Sequence, residues 1–253
     1  MMRALLLGLI FASNGLIAQA EEVVAALSQN QISITTNFSG SEILIFGAVK
    51  REERIANGDL HVVIAVSGPL EPVTVRRKAR RFGIWVNTDT VEVDAAPSFY
   101  AVSTTGPFDQ ALSDTEDLRQ SVSIPRAIRL VGAPSTVTDA QAFREALIRI
   151  RKSKNLYQLN EGQVEFDDNT LFQTRVRLPA NLVEGSYKTR IFLTRDGTTV
   201  SAYETAIDVT KVGLERILYS MAHNQPLIYG LMSLAIAIAA GWGASAVFRV
   251  FQR

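Results

Sequence analysis

The sequence contains no cysteine. That absence removes disulfides, c-type haem attachment, thiolate metal centres and cysteine nucleophiles together. Histidine is nearly as scarce. His61 and His223 are the two present, and no HxH or HExxH spacing exists, so a histidine metal centre is not expected. The four methionines include Met1 and Met2 and give no basis for a thioether copper site. No Gly-x-Ser-x-Gly elbow occurs. Residues 241–246 (GWGASA) imitate a dinucleotide fingerprint, but they lie inside an uncharged apolar run with no strand before them. Asp167 and Asp168 could act as paired carboxylates; a hairpin turn is the better account, because Asp and Asn tolerate turn geometry. The sequence therefore predicts no catalytic residue, no cofactor and no metal. An enzyme built on dispersed Asp, Glu, Arg and Tyr residues is the alternative class.

Charge of one sign is also missing. Of 26 basic residues, Arg3, Arg249 and Arg253 flank the two terminal apolar segments, which leaves 23 against 25 acidic residues in between. A body so close to neutral has no global field for nucleic acid, and none is expected as a partner.

What the chain does have is a long uncharged run. From Leu227 no Asp, Glu, Lys or Arg occurs until Arg249. At about 1.5 Å per residue, residues 226–248 make a helix long enough to cross a hydrocarbon core of about 30 Å. A buried helix of a soluble protein is the competing account. At the other end, residues 1–20 carry Arg3, an apolar stretch over 4–12 and Ala18-Gln19-Ala20, the pattern of a removable signal peptide cut after Ala20. A signal and a late span together place residues 21–225 outside the cytoplasm and the tail 249–253 inside. Arg249 and Arg253 agree with the positive-inside rule. The expected address is the inner membrane, single-pass, with the body in the periplasm.

Between the two segments, short β-rich runs recur at 31–36, 42–49, 61–67, 72–77, 83–87, 90–94 and 98–103. Seven strands in so short a stretch suit an immunoglobulin-like β-sandwich over 21–105, with a small barrel as the alternative. Residues 106–212 change character. Ser113 with Glu116 and Thr138 with Gln141 are capping boxes that open helices through 120 and 152. Phe143, Leu147 and Ile150 form the apolar stripe of the second helix. Residues 123–131 read as one further strand. Runs at 163–166, 171–178, 185–194 and 199–209, with Asp196-Gly197 as a hairpin turn, suit a smaller second sheet. Residues 213–225 read as a juxtamembrane helix. The fold class is mainly β, with a helical insert and a C-terminal transmembrane helix.

Two stretches are candidate contact sites. Arg76, Arg77, Lys78, Arg80 and Arg81 form the one dense charge run, suited to lipid head groups or an acidic partner, or else to a solvated strand end that opposes edge aggregation. Ser233, Ala237, Gly241 and Ser245 recur every four residues and form a stripe of small side chains, suited to self-association or to pairing with a membrane-protein partner.

Residues 83–87 (GIWVN), 96–102 (APSFYAV) and 175–187 (RVRLPANLVEGSY) together resemble an alphaproteobacterial family of transmembrane proteins. The resemblance covers nearly the whole chain after residue 20. It implies the layout of signal, exported β-rich domain and single C-terminal span. It further implies company with membrane permeases of the sulfite-exporter type, and so an accessory or sensing subunit holding a small oxyanion through arginines. It supplies no catalytic residue.

Overall fold

In the computed structural model, residues 21–51, 57–131, 139–212 and 214–251 are described. The expected signal segment and Thr138 lie outside them. The described chain forms two units. One holds residues 21–30 and 39–208; the other holds residues 31–38 with the stretch from 209 onward.

The first unit is mainly β. Twelve strands occur in the described chain: β1 (Glu21–Leu27), β2 (Gln31–Ile34), β3 (Ser41–Arg51), β4 (Leu60–Ser67), β5 (Leu70–Arg81), β6 (Ile84–Pro97), β7 (Tyr100–Thr104), β8 (Tyr157–Asn160), β9 (Glu165–Asp167), β10 (Leu171–Leu178), β11 (Gly185–Arg195) and β12 (Thr198–Lys211). One sheet runs β1-β3-β10-β9, a second contains β12-β11-β4-β7-β8, and β5 with β6 makes a separate long hairpin.

Alternation explains the first sheet. In β10 every second residue, Phe172, Thr174, Val176 and Leu178, is buried, and Ile43, Ile45 and Val49 of β3 join them. Gly47 of β3 leaves no room for a side chain: a Cβ there would stand 2.5 Å from the Val24 carbonyl oxygen and 2.5 Å from the Phe172 ring. The second sheet is different. In β4 all of Val62–Val66 is buried, so both faces are covered, as its unbroken apolar run requires. One face meets the first sheet, where Val23 N–H donates to Ser201 Oγ at 3.2 Å. The other lies under α1 (Phe108–Ala111), α2 (Asp114–Gln120) and the turns that follow. There Thr194 Oγ1 donates to the Ala111 carbonyl at 2.5 Å and Tyr100 O–H to that of Val122 at 2.7 Å.

The sheets do not divide at residue 105. β3 pairs with β10 and β4 with β11, both antiparallel, so early and late strands interleave. Period-2 patterning reports which residues form strands, not which strands pair, and the expected separate second sheet over 106–212 does not form. The strand expected over 123–131 is a run of turns with a single bridge, Ala95 to Arg129. The expected strands at 83–87 and 90–94 are one strand, β6, bent by a bulge opposite Arg77 and Lys78. β1 and the parallel strand β8 were not expected.

In the second unit, β2 lies beside the end of β12, with Val212 N–H donating to the Ile34 carbonyl at 2.9 Å. Helices α4 (Leu214–Asn224) and α5 (Pro226–Phe251) follow. Gln225 N–H reaches Met221 O at 3.0 Å and Tyr229 N–H reaches Gln225 O at 3.1 Å. Pro226 lacks the donor for the rung between them, which is how the helix pair breaks there.

Candidate functional site

The charge run lies on the β5–β6 hairpin. Register places Lys78 opposite Asn87, Arg80 opposite Trp85 and Arg81 opposite Ile84. Pleat alternation then splits the five cations. Arg77 faces α3 (Ala140–Ser153), where it is held at 2.5 Å by Asp139 and at 3.7 Å by Asp89, with its guanidinium 4.5 Å from the Phe143 ring centre. Asp139 precedes the helix but makes no side-chain cap, because its carboxylate goes to Arg77. Arg76, Lys78 and Arg80 project from the exposed opposite face. Among the described residues, no acidic side chain forms an ion pair with those three or with Arg81.

The apex carries the aromatic residues Phe82 and Trp85 that directly follow the basic run in the sequence. Arg81 and Ile84 are joined by Phe82-Gly83, with φ of 49° and 86°. Positive φ at both central residues is the type I′ hairpin geometry, which selects Asn, Asp or Gly. Phe82 therefore occupies a left-handed position that an aromatic residue rarely takes. Its side chain is wholly exposed (106%), and Ile84 and Trp85 are 65% and 69% exposed. The signal for the turn is an apolar residue directly before Gly where the basic run ends.

The other candidates are consumed by structure. His61 Nδ1 sits 2.9 Å from Thr105 Oγ1, and the His223 ring stacks on Tyr219 at 4.0 Å. No group of three or more metal-capable side chains occurs among the described residues. Asp168 and Asn169 have φ of 48° and 52°, and Thr170 N–H closes the turn onto Asp167 O at 2.9 Å. Among the described residues, Arg126, Arg190 and Lys188 line one cavity of about 310 Å³ together with Glu204, but each of these cations already has a partner. Arg190 donates to Gln120 O at 2.7 Å and Ser121 O at 3.1 Å. Asp117 takes Arg126 at 2.7 Å along with the N–H groups of Val122 and Ser123. Burial raises the Tyr100 phenol above its ordinary value, although Arg190 Nη2 lies 3.4 Å from its oxygen. An open groove of about 1030 Å³ beside β10 carries Arg175 and Arg177, but Glu42 and Glu165 line it too, so its field is balanced.

The span candidate covers Pro226–Ser245, and none of that window is buried. Ser233, Ala237, Gly241 and Ser245 are all exposed, and a Cβ at Gly241 would meet nothing within 4 Å. The Ser233 hydroxyl donates to its own helix, to Tyr229 O at 2.6 Å. That proton is therefore already committed within the helix.

A family model described as "Putative transmembrane protein (Alph_Pro_TM)" matches residues 22–250. No protein of curated function matches the chain. Among solved structures, the sporulation control protein Spo0M of Bacillus subtilis aligns at 10% identity and TM-score 0.28, covering 80% of this chain and 54% of Spo0M. The chain thus spans about half the length of that protein. BslA, a bacterial hydrophobin, aligns at 15% identity and TM-score 0.23, covering 77% of this chain and 96% of BslA. Overlaps this loose define no shared fold.

Proposed function

The chain belongs to the transmembrane protein family whose model spans residues 22–250, and from that premise we propose a single-pass, membrane-anchored accessory protein. Its β-rich body lies outside the cytoplasm and supports a partner at the inner-membrane surface without catalysing a reaction. One observation carries the reading: an apolar helix with no buried residue in its 226–245 window follows a body whose core is complete without it. A bare apolar helix of that length finds its favourable solvent in hydrocarbon. The signal pattern at 1–20, with Arg249 and Arg253 after the run, supports the orientation.

The cysteine-free chain makes the test clean. Lys152→Cys, on exposed α3, should react with a membrane-impermeant maleimide on intact spheroplasts. Gln252→Cys should react only after permeabilisation. The opposite pattern overturns the orientation, and labelling of both without permeabilisation overturns the span.

A further inference from the structure

We propose that the distal β5–β6 hairpin docks on an anionic lipid bilayer, with Phe82, Ile84 and Trp85 entering the interface and Arg76, Lys78, Arg80 and Arg81 meeting lipid phosphates. Docking deepens the anchored reading above and rests on it for the nearness of a bilayer.

Three independent features meet at this apex. The first is apolar exposure. Three large side chains point into solvent around a two-residue turn, at 106%, 65% and 69% exposure. Trp is a residue type enriched at the membrane interface, where one end of the ring is dry and the other wet. The second is charge. Arg76, Lys78 and Arg80 lie on one face, and Arg80 sits directly across from Trp85, so cation and aromatic share a side. Of the nearby acids, Asp89 and Asp139 are bound to Arg77 and Glu145 lines the groove on the α3 side, while Glu92, opposite Thr74, shares the exposed face with Arg76; Lys78 and Arg80 lie beyond it toward the apex. The third is backbone cost. Phe82 holds φ of 49° where Asn or Gly would sit without strain. A strained backbone combined with full apolar exposure favours neither folding nor solubility, and that pairing points to function.

Shape selects the occupant. The apex is convex, and three apolar side chains around one turn offer less than the roughly 800 Å² per partner of a specific protein interface. Fluid lipid accommodates a convex wedge, and each near-surface cation strengthens attraction to an anionic leaflet. From Arg76 to Phe82 the strand extends about 20 Å at about 3.4 Å per residue, enough for cations to follow the apolar tip to head-group depth.

The test uses the full chain carrying Trp242→Phe, which leaves Trp85 as the sole tryptophan. The protein is placed in lipid nanodiscs in two arms. In one, the disc itself contains brominated phosphatidylglycerol. In the other, the disc is phosphatidylcholine and brominated phosphatidylglycerol vesicles are added separately. Quenching and a blue shift of Trp85 in either arm, reversed by high salt, is the expected result. The first arm reports docking on the protein's own bilayer and the second on an apposed one. Gln at positions 76, 78, 80 and 81 should lower vesicle partitioning by roughly 100-fold or more. Phe82→Ser with Ile84→Ser should abolish the quenching. Unquenched, water-exposed Trp85 in both arms overturns docking and leaves an acidic protein as the alternative contact. Equal quenching by brominated phosphatidylcholine overturns the role of the cations. The assay does not depend on topology, so it fails separately from the orientation test.

Discussion

The carboxylate of Glu21 closes an ion pair on each side, with Arg195 at 2.6 Å and Arg51 at 2.9 Å. All three side chains are almost buried, at 10 to 12% exposure. Arg51 also donates to Thr170 Oγ1 at 3.1 Å and to the Asn169 carbonyl, so the cluster ties β1 to the β9–β10 turn. Burial alone would raise the Glu21 carboxyl. The hydrogen bonds and charges of Arg195 and Arg51 outweigh it and hold the group below the ordinary carboxylate value. A depressed folded-state pKa means stability that is present above the unfolded pKa and is lost as pH falls through the folded one. Glu21→Gln keeps the size and takes the shared carboxylate charge away from two nearly buried guanidinium groups. It should cost about 2–3 kcal/mol at neutral pH. In denaturant melts across pH, the gap between wild type and variant should close on acidification below the ordinary carboxylate range. A gap that stays constant with pH would show that packing, not charge, carries the effect.

At the scale of elements, the β5–β6 hairpin sets local preference against exposure. Asn tolerates the left-handed geometry that Phe82 must adopt. Phe82→Asn should therefore stabilise the folded protein by about 1 kcal/mol while weakening association with anionic vesicles. Opposite signs in the two measurements separate a functional residue from a merely awkward one; a variant that loses stability refutes the strain. Much of the element inventory was legible beforehand. The alternation of 171–178 marked β10, and Asp196-Gly197 marked the β11–β12 turn, with φ of 48° and 75°. Ser113 caps α2 by accepting the N–H of Glu116. Sequence patterns failed where the cause was distant. β1 is held by its pairing with β3 and by the Glu21 cluster, and β8 by parallel pairing with β7. The basic run was legible as a candidate patch. Its division was not, because the carboxylate that removes Arg77 belongs to Asp139, more than sixty residues later.

At the scale of the whole molecule, the question is whether the span shapes the body or only holds it. Among the described residues the buried apolar side chains run from Val23 to Val209, and none of the Pro226–Ser245 window is buried. With no cysteine in the chain, no cross-link supplements the packed core. Its stability must come from burial, at about 25 cal/mol per Å² of apolar surface removed from water, against the entropy of ordering the chain. Deleting residues 213–253 removes none of the described buried side chains. It keeps all of β12 and the following Val212, whose N–H still meets the Ile34 carbonyl. A chain of residues 21–212 should therefore be water-soluble, unfold in one cooperative step, and melt within about 3 °C of the full chain in mild detergent. Reducing agent should change nothing. Loss of cooperative melting, or a fall of more than about 10 °C, would show that the anchor contributes to the fold. A body that melts unchanged shows that α5 has no part in holding the fold of the body together.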